Sequence, residues 1–272
     1  MRCSATVCLV GSLSSGPWIY WHDLEAACAD ASSIGLDGIE LFTESADQVP
    51  ADELRTLLDR HQLELAAVGT GAGKVFHGLS LTDPDADRRA QAVEFIRGMI
   101  SFGASFGAPA IIGSMQGGVP RGGDREEVLA WLGEGLEACG RTAADLGVTL
   151  IYEPLNRYES NLLNTQADAC AFLETCAAPA VRTLADLFHM NIEEVSLPDA
   201  LRDHASHIGH VHFADSNRRP PGDGHTNFGA IGEALREVGY DGWVSAEAFP
   251  WPDPAAAARR TYETFREWIA ER

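Results

Sequence analysis

Eight short apolar runs, rich in β-branched and aromatic residues, recur along this chain, and helical patterns fill the gaps between them. That alternation restricts the fold more than any other feature of the sequence. The strand-like runs are Ala5–Val10, Gly38–Phe42, Leu63–Val68, Ala108–Gly113, Val148–Glu153, Arg182–Phe188, Gly209–Ala214 and Trp243–Glu247. Helical patterns cover Asp23–Ser33, Ala51–His61, Asp83–Phe106, Asp124–Leu146, Thr165–Cys176, Phe228–Val238 and Pro254–Glu271. Within Asp124–Leu146, residues Val128, Leu132, Leu136, Cys139 and Ala143 recur at helical spacing and form one apolar stripe. Asp83-Pro84 and Asn227 read as helix starts, and Gly35, Gly107, Gly147 and Gly239 as helix stops. Eight strands, each followed by a helical or helix-like segment, require a parallel sheet, so the fold class is α/β. Closure into a (β/α)8 barrel suits 272 residues, since such barrels need roughly 250. A doubly wound open sheet competes, but no G-x-G-x-x-G follows the first strand. No linker or composition break divides the chain, so residues 1–272 read as one domain.

In a barrel of this kind the site lies at the carboxyl ends of the strands, and four runs end in metal-binding side chains. VTLIYEPLNRYESNLLN leaves its strand at Glu153-Pro154, where the proline forbids a continuing ladder. RTLADLFH ends at Asp186 and His189, IGHVHFADS at His212, and WVSAEAF at Glu247. Glu153, Asp186, His212 and Glu247 offer three carboxylates and one imidazole. That donor set suits Mn2+ or Mg2+, with Co2+ and Zn2+ as further candidates. Three clustered carboxylates repel one another without a cation, so the expected cofactor is one divalent ion per chain.

Composition narrows the partners. Forty acidic residues against twenty basic ones give a net charge of -20, which disfavours nucleic acid and anionic membranes. Six cysteines, at 3, 8, 28, 139, 170 and 176, contain no C-x-x-C pair and read as buried thiols of a reducing compartment. MRCSATVCLVGSL reads as a first strand rather than a signal peptide, and no apolar stretch is long enough to span a bilayer. The expectation is a soluble cytoplasmic protein.

The segments EPLNRYESNLLNT, LADLFHMNIEE, GHVHFADSNRRPPGDGHTNF and GLDGIELF resemble those of the xylose isomerase-like TIM barrels known as sugar phosphate isomerases/epimerases. Among these the nearest resemblance is to the ketose 3-epimerases acting on tagatose and psicose, and to the 5-keto-gluconate epimerases. The resemblance puts the family's metal ligands on Glu153, Asp186, His212 and Glu247, the set reached from the strand ends. It puts substrate-binding roles on Glu159, His189 and Arg218, with Arg219 beside Arg218 as a competitor for the inward position. It also implies a small-molecule sugar substrate, a homodimer or homotetramer, and a pair of catalytic glutamates, Glu153 and Glu247. In that chemistry one base removes the proton beside the ketose carbonyl and the other returns it to the opposite face through a cis-enediolate. Mn2+ is the favoured ion. Alternatives on the same barrel are an inosose dehydratase-type lyase, a hydroxypyruvate or aldose–ketose isomerase, and an endonuclease-like phosphodiesterase. The last lacks the histidines expected after the third and fourth strands, where GTGAG and IIGSMQGG stand.

Several further residues attract readings. His210 shares a strand face with His212 and reads as packing one layer deeper. Asp223-Gly224-His225 reads as a loop over the substrate, with a second metal pair as the competitor. Trp18 and Phe42 read as an apolar wall for the sugar. Gln116 reads as a partner for a distal hydroxyl, and Lys74 and His77 for a carboxylate or phosphate. The glycines around Pro120-Arg121 suggest a mobile lid.

Overall fold

The computed structural model describes residues 1–178 and 180–270 and shows a closed eight-stranded parallel barrel ringed by helices. Its strands are β1 (Arg2–Cys8), β2 (Gly38–Phe42), β3 (Glu64–Gly69), β4 (Ala110–Ile112), β5 (Leu150–Tyr152), β6 (Val181–Asp186), β7 (Ile208–His212) and β8 (Trp243–Ala246). Each pairs with the next in sequence, and pairing of β1 with β8 closes the barrel. A two-residue strand, Tyr20–Trp21, adds to β1. Closure removes every long open edge, which is why short strands of three to seven residues suffice.

The helices form because their apolar positions recur on one side and their ends are capped. Ala51–His61 buries Leu54, Leu57 and Leu58, while Arg125–Asp145 starts where the Asp124 carboxylate accepts the N–H of Glu126. The expected helix start at Asp83-Pro84 moves to Ala86, because Asp85 is the residue whose side chain caps it. The C-terminal helix runs over Pro254–Thr264 and continues as a wider turn over Phe265–Ile269; its expected end at Glu271 lies outside the described residues.

The main disagreement with the sequence reading lies at β6. Its expected run to Phe188 stops at Asp186, whose carboxylate accepts the N–H groups of Phe188 and His189 at 2.7 and 3.0 Å. That cap turns the chain directly into a helix over Leu187–Glu193, so His189 sits on a helical turn and not at a strand end. This helix and two others, Ala72–His77 and Leu197–Asp203, are too short to show a periodic apolar stripe in the sequence.

Successive strand residues point to opposite sides, so residues two apart share the barrel interior. Ala67, Ile111, Ile151 and Leu184 make a small apolar plug on the β3–β6 side, separate from the main core between sheet and helices. Two residues further along β5 and β6 the same face carries Glu153 and Asp186. On the other side of the barrel the interior is polar, with Thr6, Glu40, His210 and His212 all buried. The six cysteines are unpaired. Burial pushes the thiols of Cys28 and Cys139 up to about 12 and that of Cys170 to about 11, so they act as packing groups and not as nucleophiles.

Candidate metal centre and active site

Glu153, Asp186, His212 and Glu247 converge at the carboxyl ends of β5 to β8, with one donor atom from each lying within 4.8 Å of the others. Glu153 stands just beyond β5, but its N–H still donates to the Ile112 carbonyl at 3.0 Å, which fixes the carboxylate at the rim. Gly113 makes room for it, since a Cβ at that position would collide with Glu153 Oε2. His212 directs Nδ1 at the acids, 3.3 Å from Asp186 Oδ2 and 3.7 Å from both Glu153 Oε1 and Glu247 Oε2.

The electrostatics are those of a site built around positive charge. Burial works against ionising His212, but Glu40, Glu247, Asp186 and Glu153 outweigh it and hold the imidazole pKa well above its usual range. For Asp186 burial is likewise outweighed, by His189, His212 and Arg218, and its carboxyl stays below the usual range. Burial raises Glu247, helped by Glu153 and Asp186 and opposed by Arg218 and His212. Glu153 Oε1 is buried and accepts no hydrogen bond among the described residues. An unpartnered carboxylate oxygen beside two further acids and an imidazole nitrogen fits a hard divalent cation. A second group, Glu40, His210 and His212, also lies within 4.8 Å.

The expected substrate-binding residues gather around the same point. The backbone N–H of Asn156 donates to His189 Nδ1 at 3.3 Å, and the Asn156 side-chain nitrogen lies 2.7 Å away. His189 Nδ1 is therefore the acceptor and Nε2 carries the proton. That Nε2 is buried, has no hydrogen-bond partner among the described residues, and lies 3.7 Å from Glu153 and 3.8 Å from Asp186. Glu159 takes hydrogen bonds from Asn156 and from Arg218 Nη1, both at 3.2 Å. Of the two adjacent arginines Arg218 points inward, whereas Arg219 stacks on Trp251 with 4.4 Å between guanidinium carbon and ring centre. Neither Asn156 nor Glu40 was singled out from the sequence. For Glu40 a signal was present, because an acid in the middle of the buried strand GIELF has to face a polar interior.

Glu153, Glu159, His189, His212, Arg218 and Glu247 line a cavity of about 230 Å³. Its outer wall is apolar: Trp18 and Phe42 stack with ring centres 4.6 Å apart, and Val75 and Leu155 join them. Three lesser expectations are corrected. Gln116 is fully buried and spent on the Gly113 and Glu153 carbonyls and the Tyr152 hydroxyl. Lys74 and His77, on the helix beside Val75, do not line the cavity. The Asp223-Gly224-His225 loop does not reach the substrate cavity: Asp223 pairs with Arg260 at 3.3 Å, and neither Asp223 nor His225 lines the cavity or belongs to a metal-binding group among the described residues. The ends of β3 and β4 contribute Gly69, Thr70, Gly71, Gly113 and Ser114 to the lining, with no histidine among them.

The fold is a closed parallel barrel with a candidate metal site at its carboxyl rim, and residues 28–268 match the family described as xylose isomerase-like TIM barrels, to which this chain belongs. Among its curated relatives, D-psicose 3-epimerase of Agrobacterium fabrum is 33% identical over 230 residues, covering 80% of this chain and 76% of the relative. 3-dehydro-D-guloside 4-epimerase of Escherichia coli is 40% identical over 138 residues, covering 50% of this chain and 51% of the relative. A crystal structure of D-psicose 3-epimerase in the presence of D-fructose superposes over the full length of both chains, with a TM-score of 0.80 and 25% identity. No helix among the described residues is long and apolar enough to cross a membrane.

Proposed function

We propose that this protein is a divalent-metal-dependent epimerase of a ketose, inverting C3 through a cis-enediolate. The observation that carries the reading is the convergence of Glu153, Asp186, His212 and Glu247, with two glutamates delivered from the ends of β5 and β8 into one cavity. The four would hold one ion, Mn2+ being the favoured species for three carboxylates and one imidazole. When bound, the cation supplies the positive charge that polarises the ketose carbonyl. Glu153 and Glu247 are the catalytic pair: one takes the proton from the carbon beside the carbonyl and the other gives its own proton to the opposite face. The two glutamates end with exchanged protonation states, and proton exchange with solvent after product release would restore them for the next turnover. His189 Nε2–H and the Arg218 guanidinium donate to the substrate oxygens that gain negative charge, and Glu159 holds Arg218 and accepts from a hydroxyl.

A free ketose suits the cavity better than a phosphorylated one. No lysine lines it, and the charge of its arginine is already offset by two carboxylates, Glu159 and Glu247. Unpaired, buried thiols fit a cytoplasmic enzyme. We read residues 1–272 as one working domain. Tyr158, Phe249 and Trp251, large side chains exposed on the segments after β5 and β8, are the surface that a homodimer would cover; sedimentation velocity tests this.

The similarity to a 4-epimerase of a 3-dehydro sugar favours a second reading, in which the carbonyl sits at C3 and C4 inverts. Proton NMR in D2O separates the two, using Mn2+-loaded protein, free ketoses and 3-keto sugars, and removal of the ion before spectra are taken. Deuterium at C3 with a C3-epimeric product supports the first reading, and deuterium at C4 the second. Deuterium at C1 or C2 with an aldose product makes the enzyme an isomerase. A dehydrated product, or no exchange in any sugar, defeats the epimerase reading.

A further inference from the structure

Glu40 is a carboxylate in the middle of β2, in the interior of the barrel, with only 4% of its surface exposed. Leaving an ionised acid there is costly unless its oxygens are satisfied. Both are, by histidines of β7, a strand that is not a neighbour of β2, so the contact crosses the lumen. Glu40 Oε2 lies 2.8 Å from His210 Nε2, and Glu40 Oε1 lies 3.0 Å from His212 Nε2. An ionised carboxylate only accepts, so each ring must present Nε2–H to it. For His212 this leaves Nδ1 as the nitrogen that points at Asp186, Glu153 and Glu247.

We infer that Glu40 is a positioning residue for the metal centre: braced by His210, it fixes the orientation and the Nε2–H tautomer of His212 so that Nδ1 faces the cation. The inference rests on the metal reading above and adds a residue to it. A metal-bound histidine whose second nitrogen donates to a carboxylate is a more basic and better-oriented ligand than a free ring. Each oxygen of Glu40 is in direct hydrogen-bond contact with a different ring, at lengths ordinary for N–H···O bonds; an ion held between Glu40, His210 and His212 instead is an outcome that the test separates.

The test uses the full chain as wild type, Glu40→Gln and Glu40→Ala. Mn2+ affinity is measured from the free-ion electron paramagnetic resonance signal. Histidine tautomers are read by long-range proton–nitrogen correlation NMR with diamagnetic Zn2+. In the wild type, His212 should show a protonated Nε2 and an Nδ1 resonance that moves on Zn2+ addition. Glu40→Ala should weaken Mn2+ binding about 10–100-fold and lose the single tautomer, with Glu40→Gln intermediate because it keeps one acceptor. Affinity within twofold of wild type in a folded Glu40→Ala would overturn the inference. So would a metal-bound Nε2 on His212, or two ions per wild-type chain of which Glu40→Ala loses one. If Glu40→Ala does not fold, Glu40→Gln and the wild-type tautomer decide. A wild type that binds no Mn2+ would sink the metal reading itself, a different result from equal binding by wild type and variant.

Discussion

Arg218 Nη2 donates to Glu247 Oε2 at 2.5 Å, joining the guanidinium that would bind substrate to a carboxylate that would move its proton. The arginine is held firmly in this position. Its backbone adopts a left-handed conformation, with φ of 58°, and its N–H and carbonyl are tied to Asp215 and Phe249. Its guanidinium also lies over the Phe188 ring at 4.8 Å. Lysine cannot reproduce a fork that reaches Glu159 and Glu247 together. Arg218→Met is expected to lower kcat/KM on the best ketose by about 10²–10³, and Arg218→Lys to recover only a minor part. Steady-state kinetics check this, and a loss below fivefold in Arg218→Met would refute it.

The two glutamates predict an asymmetric pair of defects. Glu153→Gln and Glu247→Gln should each lose epimerisation by about 10³ or more, near the limit for one acid–base group. Each retains one working carboxylate, which still exchanges the C3 proton of one epimer with solvent. Exchange in D2O should therefore persist for one epimer in one variant and for the other epimer in the other. Exchange of both epimers by either single variant would refute the two-base assignment.

Gly113 has a steric role that a small substitution exposes. A Cβ there would collide with Glu153 Oε2, and the neighbouring backbone is fixed by the Glu153 N–H bond to Ile112. The end of the Glu153 side chain would have to swing away from an added Cβ, which takes Oε2 off its present position, so Gly113→Ala should weaken Mn2+ binding about 10–100-fold. Calorimetric titration of variant and wild type measures this, and equal affinities would show that Glu153 can move without loss.

Asp215 supplies a pH dependence away from the metal donors. Its carboxylate accepts the N–H groups of Ser216, Thr226 and Gly222 at 2.7, 3.0 and 2.8 Å, closing the loop that carries Arg218. Burial raises its pKa, but these bonds outweigh burial and hold it below the usual carboxylate range. A depressed folded value means that the stabilisation is complete above the unfolded pKa of about 3.9 and is lost as pH falls through the folded value. Asp215→Asn should therefore melt lower than wild type at pH 7, and the gap should close as pH falls below about 4. A gap independent of pH would refute the assignment.

Periodicity and the strand ends made much of this legible. The eight runs, their order and the donors Glu153, Asp186, His212 and Glu247 could all be read from local pattern, because a buried strand that ends in an acid leaves it little to do but face a site. Short helices such as Leu187–Glu193 escaped, since seven residues carry no period and a single capping bond at Asp186 decides them. Gln116 and Lys74 were misread because a polar loop residue looks the same whether it props up backbone carbonyls or points into a cavity.

What the sequence alone determined is the alternation of strands and helices and the kinds of donor at their ends, both consequences of short-range chemistry. Only the tertiary structure decided which groups meet across the barrel: Glu40 from β2 on His210 and His212 of β7, Arg218 rather than Arg219 on Glu247, and Asn156 beneath His189. Those contacts join residues as much as 172 positions apart. Closure of the barrel sets them through register and strand tilt, which no local pattern encodes.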